Sequence, residues 1–256
     1  MKVVEFVGAP GAGKTRFAWN LIDALPQGEV LDLRHGVHRA LKTTAERRAT
    51  RILLATLPAA LGWRAAQRLV HGNEGFVALN RFLLTQDGFL GGVLAAMRER
   101  MGSFPDPESY LNWVITLCAK YSIAAHGLAD GSIVLIDEGF ANRGVGLFAF
   151  TSTPNDDVDL RSYARAMPRP DVLVFLDTDR ETCRGRLEER GWTKRSRHLS
   201  AEDRLAFLDA SIVASRTIAD ELATRGVEVL TVLPGEDGDA RHRVGELLTG
   251  TLAKKI

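Results

Sequence analysis

Short unbroken runs of apolar and β-branched residues recur at positions 3–7, 29–33, 133–136, 172–176 and 227–233, with helically periodic stretches between them. Runs that do not alternate with polar residues suit strands covered on both faces, and strands alternating with helices predict a parallel α/β sheet. The first helix shows Phe17, Ala18, Leu21, Ile22 and Leu25 on one face and is expected to stop at Pro26-Gln27-Gly28. A capping box, Thr178-x-x-Glu181, opens the helix after the fourth run, and another helix opens at Ser200 with Leu205, Leu208, Ile212 and Leu222 at helical spacing. Residues 35–131 show almost no strand character. A helical insertion of four or five helices is expected there, broken at Gly72, Gly75, Gly91-Gly92 and Phe104-Pro105-Asp106-Pro107, with Asp106 capping the last helix.

The 256 residues carry 33 Lys plus Arg and 32 Asp plus Glu, a formal charge of +1. A near-neutral total lacks the usual electrostatic signature of a protein that lives on duplex nucleic acid or an anionic membrane, though local basic clusters remain open. The longest uncharged runs, 52–63 and 144–155, are twelve residues each, below the ~18 needed to span a bilayer. Cys118 and Cys183 form no CxxC pair, which suits a reducing compartment, and the N-terminus has no signal-peptide pattern. A cytoplasmic protein of one domain, 1–256, is the expectation, with room for a homodimer.

Chemistry enters at Gly8-Ala9-Pro10-Gly11-Ala12-Gly13-Lys14-Thr15, a GxxxxGK(S/T) loop between an apolar strand and an amphipathic helix. Its glycines let backbone N–H groups turn inward on phosphates, the helix N-terminus adds positive potential, Lys14 reaches the β and γ oxygens, and the Thr15 hydroxyl suits Mg²⁺. The expected nucleotide-binding set is Gly8, Pro10, Gly11, Ala12, Gly13, Lys14, Thr15 and Arg16. The run 133–136 ends in Asp137-Glu138-Gly139, as a Walker B segment does. Asp137 would hold the metal, and Glu138 could accept a proton or position a nucleophile. Between Arg184 and Arg197 six cations face Glu188 and Glu189. They read either as a closing lid, 184–200, that stabilises phosphoryl charge, or as a solvated helix face. His35 and His38 lack a third ligand, Trp63 and Trp113 suit core packing, and Cys183 reads as structural.

The chain resembles the P-loop kinases of nucleosides and nucleotides, thymidylate kinase in particular. The likeness lies in Pro170-Asp171-Val-Leu-Val-Phe-Leu-Asp177-Thr-Asp179-Arg-Glu181, running on into Arg186-Leu187-Glu188-Glu189-Arg190-Gly191. It implies a five-stranded parallel sheet of order 2-3-1-4-5. It further implies that Arg186 joins the nucleotide site and that Arg186, Arg190, Arg195 or Arg197 meets the transition-state charge. In such kinases an acidic residue ends the second strand to hold or deprotonate the acceptor hydroxyl. Asp32 is the matching position, beside Arg34, with the acceptor pocket between that strand and the insertion. The sequence departs from thymidylate kinases in following Asp137 with Glu138 rather than Arg, the nearest arginine being Arg143. The reading is Mg²⁺-dependent phosphoryl transfer from ATP or GTP to a small molecule. The Asp-Glu pair keeps a second one open, an NTPase switch or motor read by a protein partner.

Overall fold

The computed structural model describes residues 1–25, 30–100, 106–150, 156–193 and 196–253. Five strands, β1 (Lys2–Val7), β2 (Val30–Asp32), β3 (Ile133–Ile136), β4 (Val172–Leu176) and β5 (Glu228–Val232), form one parallel sheet in the order β2-β3-β1-β4-β5. The expected order is therefore the observed one. The strand limits differ at β2, where Leu33 starts a helix because the Asp32 carboxylate caps it. Glu29, the expected start of that strand, and Pro26-Gln27-Gly28 lie outside the described residues.

Both faces of the sheet are covered, as the apolar runs require. On one face Val4, Phe6, Ile133, Val172 and Val174 pack with α1 (Lys14–Ala24), α10 (Arg180–Arg190) and α12 (Asp237–Ala253). On the other, Val3, Val7, Val134 and Leu173 pack against the insertion, α8 (Phe140–Phe148), α9 (Asp156–Ala166) and α11 (Ala201–Thr224).

Among the described residues the insertion holds six helices rather than four or five. They are α2 (Leu33–Thr44), α3 (Arg48–Thr56), α4 (Ala59–Val70), α5 (Asn73–Thr85), α6 (Phe89–Arg100) and α7 (Pro107–Gly127). Gly91-Gly92 does not break the chain. It lies inside α6, and the break comes earlier, at Gly88 with φ of 81°. Phe104 and Pro105 lie outside the described residues, whereas Asp106 does cap α7, accepting from the Ser109 N–H. The expected capping box is also displaced. Asp179 caps α10 by accepting from the Thr182 N–H, while Thr178 is buried and donates its hydroxyl to the Ala12 carbonyl at 3.3 Å. Asp179 wins because its carboxylate sits one residue nearer the helix and accepts from both the N–H and the hydroxyl of Thr182.

An aromatic cluster ties the insertion to the sheet. Phe140 stacks on Phe82 with centroids 5.9 Å apart and meets Phe89 and Tyr121 edge-on at 5.3 and 5.5 Å. These rings come from α5, α6, α7 and α8, so the insertion is anchored on the helix that follows β3. Phe140→Ala should destabilise the fold by about 3–5 kcal/mol in denaturant unfolding, because the fully buried ring leaves a cavity walled by other rings.

Candidate active site

The loop from Gly8 to Gly13 leaves β1 and delivers Lys14 as the first residue of α1. Its N–H groups can face inward only if its carbonyls are satisfied on the outside. Arg186 on α10 donates Nη1 to the Gly11 and Ala12 carbonyls at 3.1 and 3.0 Å, and Lys14 donates Nζ to the Gly8 and Ala9 carbonyls at 2.6 and 3.0 Å. Gly11 has a φ of 87°, and a Cβ there would stand 2.5 Å from the Cys183 carbonyl oxygen, so only glycine lets the loop rest on α10. Cys183 is buried. Its thiol is pushed up to about 11, chiefly by that burial, which makes it inert packing.

Two cavities flank this loop. The first, of about 590 Å³, is lined by Gly11, Ala12, Gly13, Arg16, Arg186 and Arg190 and closed by Val232, Leu233 and Pro234 beyond β5. The second, of about 200 Å³, is lined by Gly8, Pro10, Gly11, Lys14, Thr15 and Glu138. Asn142, Arg143, Arg190, Thr193, Phe207 and Ser211 complete its wall. Gly11 and Arg190 belong to both. The carboxyl ends of β1 and β3 thus bring Lys14, Thr15 and Glu138 together.

Burial pulls Lys14 down to about 8, against the charges of Glu138 and Asp137, which favour its cationic form. Asp137 is half-buried at the end of β3, and the Asn142 side chain donates to its carbonyl and to that of Phe6 at 2.7 Å each. With Thr15 exposed at the cavity wall and a carboxylate whose charge reaches Lys14, the hard oxygen donors present fit Mg²⁺. Among the described residues no group of three or more His, Cys, Asp or Glu could hold a metal by itself, so the phosphates and water would complete the shell.

Other expected residues fall elsewhere. Asp32 lines neither cavity. Its Oδ1 accepts from the His35 N–H at 2.7 Å and lies 2.8 Å from His35 Nδ1, which makes it the cap of α2. No residue of α2 to α7 lines the second cavity, which opens between the loop, α8 and α11. Of the lid arginines, Arg184 pairs with Glu181 at 2.9 Å and lies 3.6 Å from Glu188, as a solvated face does. Arg197 is exposed and bonded to His198, and Arg195, like Lys194, lies outside the described residues.

Several residues in and around the site were given another role in the sequence or none. Arg143 holds Glu138 at 3.3 Å and lies over the Trp113 ring, 5.2 Å from its centre. Trp113, expected in the core, is 42% exposed and touches the site only through Arg143. Lys120 on α7 is shifted down by burial and by the charges of Arg34 and Arg143. Glu5, in mid-β1, is fully buried and accepts from the Ala141 N–H at 2.8 Å, capping α8 from another element. Its carboxyl occupies the space where a Cβ on Gly139 would be. Burial raises Glu5 to about 8, so the group is a neutral acid at pH 7. The signal was available, since a lone carboxylate inside an apolar strand needs a buried partner.

An α/β sheet whose first strand ends in a glycine loop, with a lysine on a cavity wall at that loop, defines a P-loop nucleotide-binding domain. The chain belongs to the AAA domain family, which matches residues 3–212. None of the curated proteins compared matches it. Among solved structures it is similar to a deoxyadenosine kinase from M. mycoides with the products dCMP and a flexible dCDP bound. The alignment covers 99% of this chain and 100% of that one at 11% identity, with a TM-score of 0.38.

Two pH effects should follow. Bound phosphates favour charged Lys14 and raise its pKa, so nucleotide affinity should hold below pH 8 and fall above it by up to about tenfold per unit. Calorimetry in buffers of different ionisation enthalpy should show the proton uptake. For Glu5, whose pKa is raised from 4.5 to about 8, the folded protein keeps a proton that the unfolded chain releases, so its contribution falls as pH rises across that window. Glu5→Gln should therefore gain stability on the wild type from pH 4.5 to 8 in paired melting curves.

Proposed function

We propose that this protein transfers the γ-phosphoryl group of ATP or GTP, as the magnesium complex, to a small-molecule acceptor. The observation that carries the reading is Lys14 standing on the wall of a second cavity, with Arg190 shared between that cavity and the larger one. The larger cavity suits the nucleoside end of the donor, and the smaller one the acceptor.

In this reading the loop N–H groups and Lys14 hold the β and γ phosphates. Thr15 and Asp137 would hold Mg²⁺, which when bound neutralises phosphate charge. Arg186 fixes the loop from outside, and Arg190 faces the charge that spreads over the transferring group. Glu138, in the cavity and steered by Arg143, takes the acceptor proton. This role passes to it from Asp32, whose carboxylate is committed to its helix cap. Arg143 and Arg190, on the wall of the second cavity, favour an acceptor that carries negative charge. A nucleoside monophosphate of the thymidylate kinase type fits that chemistry, as do other anionic alcohols.

The exposed Glu138 beside Lys14 is also what a water-activating ATPase needs, so kinetics must separate the two. With an effective acceptor, Glu138→Gln should lower phosphoryl transfer by about 10²- to 10⁴-fold with nucleotide affinity within a few-fold. Arg190→Gln should cost about 10³-fold in kcat, and Lys14→Ala should abolish turnover in a folded protein. The measurement is turnover across a panel of nucleosides, nucleotides and phosphorylated or carboxylated alcohols. Rapid hydrolysis that no acceptor changes and that Glu138→Gln abolishes would establish the hydrolase instead.

A further inference from the structure

Residues 47–70 carry Arg47, Arg48, Arg51, Arg64 and Arg68 and no carboxylate at all. They form α3 and α4, joined at Leu57-Pro58. This pair is shallowly seated. Leu54 is the one buried residue of α3, while Ile52 and Leu53 are 55% and 54% exposed, and Leu61 at the start of α4 is 50% exposed. Trp63 is half-buried with the Arg64 guanidinium 5.7 Å from its ring centre. The start of α3 is tied to the start of α5 by Glu46, whose N–H donates to Glu74 and whose carboxylate accepts from Asn73. Phe76, in the first turn of α5, is exposed.

We propose that the α3–α4 hairpin is a docking surface for an anionic lipid bilayer. Aliphatic side chains held out in water beside five arginines, which outnumber the neighbouring Glu46 and Glu74, are what an interfacial element presents. The aliphatics enter the acyl boundary, the guanidiniums meet lipid phosphates, and an indole sits between the two. Charge complementarity selects this occupant. A second copy of the chain would bring five more arginines to the same face with no carboxylate on the hairpin to meet them. A nucleic-acid backbone would satisfy the arginines and leave Ile52, Leu53 and Leu61 uncovered. No described helix is long and apolar enough to cross a membrane, so the contact is with its surface. The inference is independent of the reaction proposed above.

Co-sedimentation of the full chain with phosphatidylcholine vesicles, with and without phosphatidylglycerol, tests it. Binding should require phosphatidylglycerol and weaken with salt. The triple variant Arg47→Glu, Arg48→Glu, Arg51→Glu should bind at least about a hundredfold more weakly. Ile52→Ser with Leu53→Ser should also lose binding, while both variants keep the wild-type melting temperature and nucleotide affinity. Absence of wild-type binding to the anionic vesicles overturns the proposal. So does a dimer in sedimentation equilibrium that the Ile52→Ser, Leu53→Ser variant dissolves. Nucleic-acid binding that survives the serine changes but not the charge reversal, without vesicle binding, overturns it as well.

Discussion

A loop that turns its N–H groups toward phosphate must turn carbonyls the other way, and unpaired buried carbonyls cost too much to leave. Here the constraint is met by cations. Arg186 takes the Gly11 and Ala12 carbonyls and Lys14 takes those of Gly8 and Ala9. Arg186 approaches from α10 and also lines the larger cavity, whereas Lys14 is on the wall of the smaller one. In the proposed reaction Lys14 would exchange its bonds to Gly8 and Ala9 for phosphate oxygens. The close seat of Gly11 on the Cys183 carbonyl makes α10 part of the site, and Arg190 reaches both cavities from the same helix.

The opposite wall depends on a second buried accommodation. Gly139 lacks a side chain where Glu5 comes through from β1 to cap α8, and α8 carries Asn142 and Arg143. Tyr163 donates to the Phe140 carbonyl and Tyr110 to that of Arg143, both at 2.7 Å, so α8 is held at its start and along its length. These bonds, with the aromatic cluster, are how an insertion that lines no part of the second cavity still governs its shape. Tyr110 comes from α7 and Phe82 from α5. The helices serve the site by fixing the position of the helix that holds Glu138 through Arg143.

The sheet and the glycine loop were legible because each rests on local pattern: unbroken apolar runs, and a motif with fixed spacing between a strand and a helix. The strand order and the place of Arg186 at the loop were expected from the resemblance to P-loop kinases, and Asp137 was legible as a carboxylate directly after an apolar run. The second cavity was not. Glu138 was named, but its partners Arg143, Thr193, Phe207 and Ser211 come from separate elements that only tertiary packing brings together. Asp32 shows the converse error. A carboxylate ending a strand is equally a helix cap, and what decides is the residue three positions on. His35 supplies both an N–H and a ring nitrogen to it, and the carboxylate turns to them.

Net charge alone does not describe the insertion. A total of +1 is an average, and it hides five arginines without a carboxylate between 47 and 70, which leaves the remainder of the chain negative. Electrostatic attraction to a charged surface acts over about 8–10 Å at physiological salt, so it responds to the patch within that distance and not to the molecule's sum. On α10, Arg186 bonds loop carbonyls, Arg186 and Arg190 line the cavities, Arg184 pairs with Glu181 and Glu188, and Arg180 pairs with Asp209 of α11. The arginines of α3 and α4 lie on a hairpin with no acid of its own, beside aliphatic residues that water does not favour. On the two proposals the same residue type would serve phosphate chemistry at the sheet's carboxyl edge and surface recognition on the insertion, and only the neighbours of each arginine tell the two apart.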